Sequence, residues 1–275
     1  MVRLGPVGVT YAAQPTDEHE RGIAFAQQVE SLGYSTLWLP GGQGNTLPLI
    51  DEVVRGTERL QIASGIIPVD VVPATEVARL HAELAQAAPG RFVVGLGGAH
   101  GPRPLRTLGA YLDLLDTEDP VVPAASRVLA ALGPDMLDLA RERASGAYPY
   151  LVTPEYVAGA RAALGPDPAL AVLLAIVPET DAATAREIAR QPLRFLSTVP
   201  GYRNNFLRMG FSEPEIESLA DRLVDAVVAW GDLDTIVARV GEYHDAGADQ
   251  VVLGNLGDWN GPEGWLGRFA EALLS

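Results

Sequence analysis

Apolar positions along the chain follow two alternating rhythms. Short runs apolar at nearly every position, Val2–Thr10, Thr36–Leu39, Leu60–Ile67, a run from Phe92 to Gly97, Arg127–Leu132, Ala147–Val152, Ala169–Val177 and Gln250–Leu253, predict strands. Ala169–Val177 is apolar on both faces, as a parallel strand covered on both sides must be. Between these runs the apolar positions recur at helical spacing: Ile23, Ala26, Val29 and Leu32, then Val77, Leu80 and Leu84, then a helix near Leu105–Leu115 and one over Thr235–Asp245. Thr16 is placed to cap the first helix, with Asp17 and Glu18 at its positive end, and Gly33 ends it. Eight strands alternating with helices predict an α/β chain folded as a (β/α)8 TIM barrel, a single domain over 1–275, with a helical excursion between strands seven and eight. An open doubly wound sheet would look similar, but no Gly-x-Gly-x-x-Gly follows the first strand.

The exits of parallel strands are where such folds carry chemistry, and here the exits are rich in glycine. The second strand leaves into Pro40-Gly41-Gly42-Gln43-Gly44-Asn45, with no proton-transfer group at Gly41 or Gly42. The third leaves through Ser64-Gly65-Ile66-Ile67-Pro68; taken alone, Gly65 relieves packing in a barrel strand. The fourth delivers Gly97-Gly98-Ala99-His100, where adjacent glycines let backbone amides approach a ligand. Of four histidines, His100 alone falls at a strand exit, with a pKa suited to proton exchange; the alternative is an exposed loop histidine. His81 lies mid-helix beside Leu80 and is expected to be packed. Gly133-Pro134-Asp135-Met136-Leu137 starts a helix abruptly, either as an anion site or as ordinary capping in which Asp135 satisfies the dipole. Thr153-Pro154-Glu155 opens another helix. The excursion, broken at Pro200–Asn205 and at Gly210–Ser212, is either a lid, with Tyr202 and Asn205 on the substrate, or a helix-turn packed against the barrel's side. Gly101–Ser126 holds Pro102, Pro104 and an acidic-Pro segment, Asp116–Pro120.

Composition narrows the classes of function. In 275 residues, 48% are hydrophobic and 20% charged, which describes a folded chain with a large core. A net charge of −15 argues against nucleic acid or anionic membrane as partner. No 18-residue apolar run and no signal-like amino terminus occur, so a cytoplasmic location is expected. With no cysteine, disulfides and thiolate chemistry are excluded, and no metal site is expected.

Gly90-Arg91-Phe92, Gly95-Leu96-Gly97, Gly133-Pro134, Gly231-Asp232 and Ala246-Gly247-Ala248-Asp249, in this order and spacing, resemble the bacterial-luciferase-like superfamily of flavin and deazaflavin oxidoreductases. Within it the chain is most similar to a short group of probable coenzyme F-420-dependent oxidoreductases. The resemblance implies a non-prolyl cis peptide at Ser64–Gly65 or Gly65–Ile66, supporting the back of the cofactor ring. It implies cofactor contacts at Ser64, Gly65, Ile66, Gly97, Gly98, Gly133, Pro134, Met136 and Thr153, with the phosphate tail at Gly133. His100 would be the catalytic acid-base group, and a small organic molecule the substrate. F-420 is the implied cofactor, with FMN, oxygen and a partner flavin reductase as the alternative; the family's frequent homodimers imply one here. A catalytically degenerate barrel, serving binding or structure, is a third reading that rests on Gly41-Gly42 and the trimmed loop.

Overall fold

The computed structural model describes residues 4–11, 18–42, 44–99, 101–261 and 263–275. His100 and Thr16, both singled out from sequence, lie outside the described residues, as do Asp17 and Gln43.

Ten strands are described: β1 (Val7–Thr10), β2 (Thr36–Leu39), β3 (Gln61–Ser64), β4 (Ile67–Pro68), β5 (Phe92–Gly97), β6 (Arg127–Leu129), β7 (Gly146–Ala147), β8 (Ala169–Val177), β9 (Val228–Trp230) and β10 (Gln250–Asn255). All pairings are parallel, and β1, β2, β3, β5, β6, β7, β8 and β10 pair in turn until β8 meets β10, closing an eight-stranded (β/α)8 barrel. β2 and β8 span the residues that the hydrophobic pattern predicts. Elsewhere the backbone departs from the pattern. The predicted strand over Leu60–Ile67 is two pieces, because Gly65 and Ile66 leave the ladder between β3 and β4. The strand predicted over Ala147–Val152 reduces to Gly146–Ala147, followed by one isolated bridge from Tyr150 to Leu173.

Alternation along the strands splits the core in two. Trp38, Ala63, Val93, Val128, Tyr148, Ala171 and Val252 point inward and fill the barrel lumen. Outward residues such as Leu37, Ile62, Val94, Leu129, Val172 and Leu253 join the covering helices in the main core. At the strand-entry end, Trp38 donates its indole N–H to Gln250 Oε1 at 2.8 Å, and Gln250 Nε2 donates to the Gly5 carbonyl at 2.8 Å. These bonds satisfy buried polar groups in an otherwise apolar lumen.

The helix Ala74–Ala87 buries Val77, Leu80 and Leu84 as its spacing predicts. His81 sits on that helix near the Phe92 ring, and its pKa is held low by burial and by the nearby Arg127 charge. It is a neutral packing residue. The excursion between β8 and β10 consists of helices Ala182–Leu196, Pro200–Arg208, Glu213–Ser218 and Asp221–Val227, followed by β9, which pairs with the upper part of β8. Pro200 does not break a helix; it occupies the first turn of a new one, where its missing N–H costs nothing. The excursion closes over its own apolar cluster, built from Ala185, Leu193, Phe206, Ile216 and Val224, together with Ala175 and Val177 of β8.

Where β3 leaves the ladder, a side chain replaces the missing backbone pairing. Ser64, fully buried, accepts from Gly95 N at 2.8 Å and donates to the Gly95 carbonyl at 2.9 Å. Ser64→Ala strands two buried backbone groups at once, and we expect a loss of about 2 kcal/mol in a urea-unfolding experiment with the m-value unchanged. A loss within a few tenths would show that the backbone re-pairs without the hydroxyl.

Candidate active site

The site is assembled around the segment that leaves β3. Gly65 N donates to the Leu39 carbonyl at 2.8 Å, and the peptide from Gly65 to Ile66 is cis. Of the two positions that the family resemblance left open, the bond lies at the second.

Three glycines from two strands, Gly41 just after β2 and Gly95 and Gly97 on β5, make room for this segment. A Cβ on Gly41 would overlap the Ile66 carbonyl oxygen, and one on Gly95 would overlap the Ser64 carbonyl oxygen. On Gly97 it would stand 2.8 Å from Ala130 Cβ and 3.1 Å from Ile66 Cγ1. Gly41 therefore carries no acid because the bulge occupies the space a side chain needs. Gly65 itself rests on the stacked rings of Trp38 and Tyr148, which lie 3.9 Å apart and within 6° of parallel. A Cβ there would come within 3.2 Å of the Tyr148 ring and 3.3 Å of the Trp38 ring. Ile66, half-buried, is left as an apolar surface beside Gly97, which also faces Ala130. Gly98 adopts φ +74°, the left-handed region, as the chain turns toward Ala99.

The next exit is the start of the helix Pro134–Arg143. Gly133 is its extended cap residue and offers no side-chain bond; Met136 N and Leu137 N reach back to the Gly133 carbonyl at 3.1 and 3.0 Å. Over it lies a residue that the sequence gave no reason to choose. Arg208 Nη2 is 3.4 Å from where a Cβ on Gly133 would stand. Arg208 donates to Asn205 Oδ1 at 3.3 Å, and no carboxylate pairs with it among the described residues. Its field also reaches Tyr156, whose hydroxyl donates to the Leu132 carbonyl at 3.0 Å. Thr153, beside Tyr156, caps the helix Pro154–Leu164 by accepting from Tyr156 N at 3.3 Å, and its hydroxyl is also bonded to Glu155.

The third part of the rim is aromatic. Tyr148 and Tyr150 follow β7, and Tyr202 on the excursion meets Tyr150 edge-on with centroids 6.3 Å apart. Asn205, by contrast, is buried, its amide nitrogen near Met209 Sδ and its oxygen taken by Arg208. The structure thus brings Gly65, Ile66, Gly97 and Gly98 together on one side of the rim, and joins Gly133 to Asn205 through Arg208. Sequence reasoning missed Arg208, Tyr148 and Tyr150. The Tyr-Pro-Tyr at the exit of β7 was a usable signal, since alternate residues of an extended segment share a side; Arg208 had none, because its partner is 75 positions away. Among the described residues no group of His, Asp and Glu could hold a metal ion, and no helix is long and apolar enough to cross a membrane.

Residues 4–121 match the family described as luciferase-like monooxygenase, which bears out the resemblance read from the motifs and, with it, the reading of the chain as an enzyme. No curated protein matches the chain by sequence. Among solved structures, the chain is similar to an F-420-dependent secondary alcohol dehydrogenase in complex with an F-420–acetone adduct: TM-score 0.71, 14% identity, 99% of each chain covered. It is similar to the coenzyme F-420-dependent tetrahydromethanopterin reductase of Methanopyrus kandleri, with TM-score 0.72, 16% identity and 98% of each chain covered. The oxygenating constituent of 3,6-diketocamphane monooxygenase from Pseudomonas putida, in complex with FMN, gives TM-score 0.67 and 13% identity over 97% of each chain. At these identities the likeness is one of fold.

Proposed function

From the premise of a luciferase-like oxidoreductase, we propose that this chain binds coenzyme F-420 at the rim formed by β3, β5 and β6, and moves a hydride between the deazaflavin ring and a small organic substrate. The observation that carries the cofactor reading is Arg208 at the Gly133 helix start. A guanidinium with no acid partner among the described residues, beside an uncapped helix N-terminus, makes a local anion site on a chain of net charge −15. The residues present also fit a flat ring. The Ile66 and Ala130 side chains with Gly97 between them give an apolar surface, and the buried Tyr148 hydroxyl has no partner in the protein.

When bound, the cofactor supplies the hydride chemistry. The chain's residues do the remainder. Gly65 and Ile66 back the ring; Gly133, Pro134 and Met136, with Arg208 and Thr153, hold the phosphate-bearing tail. His100, next after Ala99 at the exit of β5, exchanges the proton that accompanies hydride transfer. FMN, which shares a flat ring and a phosphate, is the competing occupant, and would require oxygen and a partner reductase.

Titration followed by intrinsic tryptophan fluorescence tests this reading, using oxidised F-420, its tail-free deazaflavin chromophore, FMN and riboflavin. We expect saturable binding with F-420 preferred over FMN. Arg208→Ala should weaken F-420 binding at least tenfold while leaving the tail-free chromophore within about twofold, the loss of one charge-assisted contact to phosphate. Gly133→Asp, which adds a carboxylate at the same point, should abolish F-420 binding. Preference for FMN would redirect the reading to oxygenation; no binding of either would end it.

A further inference from the structure

Among the described residues, Tyr34, Tyr111 and Tyr243 each donate the hydroxyl to one backbone carbonyl, as buried phenols normally do. Tyr156 holds two carbonyls in succession. Its hydroxyl lies 3.2 Å from the Ala131 carbonyl oxygen and 3.0 Å from that of Leu132, the last two residues before Gly133 at the exit of β6. A phenol has one proton, so the two oxygens share it in a three-centre bond. This fixes the backbone on its other side as well. In an extended chain successive carbonyls point to opposite sides, whereas here two consecutive ones converge, so their peptide planes face the same way. Both peptides are trans, with N–H opposite to C=O, and the Leu132 and Gly133 N–H groups are therefore both turned away from Tyr156. Among the described residues neither N–H is hydrogen-bonded, nor is that of Asp135. Successive unpaired N–H groups on one side of a loop make an anion-binding concavity. Arg208 Nη2 stands at the same point, 3.4 Å from where a Cβ on Gly133 would be.

We propose that Tyr156 is a positioning residue for the cofactor's phosphate: by holding the Ala131 and Leu132 carbonyls it keeps their negative ends off the tail site and leaves the Leu132 and Gly133 amides to face it. This inference rests on the cofactor reading and adds to it the residue that shapes the site. Tyr156 is itself held firmly. Its N–H donates to Thr153 Oγ1 at 3.3 Å at the start of the helix Pro154–Leu164, and its ring packs against the main core. Burial raises the phenol's pKa, although the Arg208 charge acts in the opposite sense, so the hydroxyl remains a donor across the physiological range. No other donor among the described residues reaches either carbonyl. Without the hydroxyl both are left unsatisfied, and rotation of either peptide would bring an oxygen, not an N–H, toward the phosphate.

The test pairs each cofactor with its phosphate-free counterpart, F-420 with the tail-free chromophore and FMN with riboflavin, titrated into the full chain and followed by tryptophan fluorescence. Tyr156→Phe keeps the ring and removes the hydroxyl. We expect it to weaken the phosphate-bearing member about fivefold and to leave the phosphate-free member within about twofold of wild type. Tyr34→Phe is the control: it removes a buried hydroxyl bond to the Leu266 carbonyl and should leave both members unchanged. A structural role alone lowers the melting temperature without splitting the pair. Equal weakening of both members, no weakening of either, or the same split from Tyr34→Phe would overturn the proposal. A wild type that binds neither cofactor, or gains nothing from the phosphate, would refute the cofactor reading and this inference with it. A wild type whose phosphate gain survives Tyr156→Phe would refute this inference alone.

Discussion

Asp116→Ala should destabilise the protein by about 2 kcal/mol, although Asp116 lies at the surface. The reason is Arg127 at the start of β6, whose side chain is 1% exposed and whose paired carboxylate is Asp116, at 2.6 Å. Its Nη2 also donates to the Val122 carbonyl, but Nε and Nη1 have no partner. Removing the carboxylate leaves a buried charge neutralised by nothing. The cost stays below the 3–5 kcal/mol of a dry pair because the Asp116 side chain is 46% exposed and water partly replaces it. Arg127→Met in the same background should recover most of the loss, since a well-packed apolar side chain needs no counter-ion. Chemical denaturation of the two variants and the double variant checks this; additive losses would contradict it. The pH dependence has a definite sign. Burial acts to raise the Asp116 pKa, but hydrogen bonds from Arg127 and Arg143 outweigh it, and the result is a lowered pKa. The pair's contribution is therefore present above the ordinary carboxylate range and lost as pH falls through the depressed value. Wild type and Asp116→Asn should converge in stability only in strong acid.

Gly41→Ala should be a strongly damaging single-methyl change at the rim. The new Cβ would overlap the Ile66 carbonyl oxygen, a backbone atom that cannot rotate aside, and it would also stand 3.0 Å from Pro68 Cδ. Relief requires moving the segment between β3 and β4, at about 2–3 kcal/mol in stability. Because that segment backs the proposed ring site, cofactor affinity should fall more than tenfold in the same variant. Gly42→Ala supplies the contrast. Gly42 has φ +54° and open space around it, so its substitution costs about 1 kcal/mol of backbone strain and leaves the Ile66 carbonyl where it is. Thermal melts and the fluorescence titration separate the two variants. Equal behaviour would show that the Ile66 carbonyl does not govern position 41.

The same glycine shows how far the sequence could be read. Gly41-Gly42 looks from the sequence like lost chemistry, and suggested a degenerate barrel. The structure shows Gly41 as the space into which the Ile66 carbonyl fits, a contact between two strand exits that no local pattern encodes. Ser64, where the family resemblance implies a cofactor contact, has a hydroxyl that replaces ladder bonds to Gly95, again a relation that no local pattern encodes. Asn205, chosen for lying at an apparent break in helical pattern, is on a continuous helix and buried, because proline at a first turn starts a helix as readily as it ends one.

By itself the sequence determined the barrel. Strands apolar on both faces, alternating with helices of one apolar stripe, have few ways to bury both surfaces, and the closed parallel sheet is the one that also leaves its strand exits free. It also determined that the rim would be glycine-rich, and the order of its motifs indicated the luciferase-like family. Only the tertiary structure decided what the rim contains. Arg208 stands over Gly133, the Ile66 carbonyl enters Gly41, and the Tyr148 hydroxyl is buried without a partner. Each is a relation between residues distant in the chain, set by barrel closure and by how the excursion packs on β8. Hydrophobic periodicity reports which way a side chain faces, but not what it meets there.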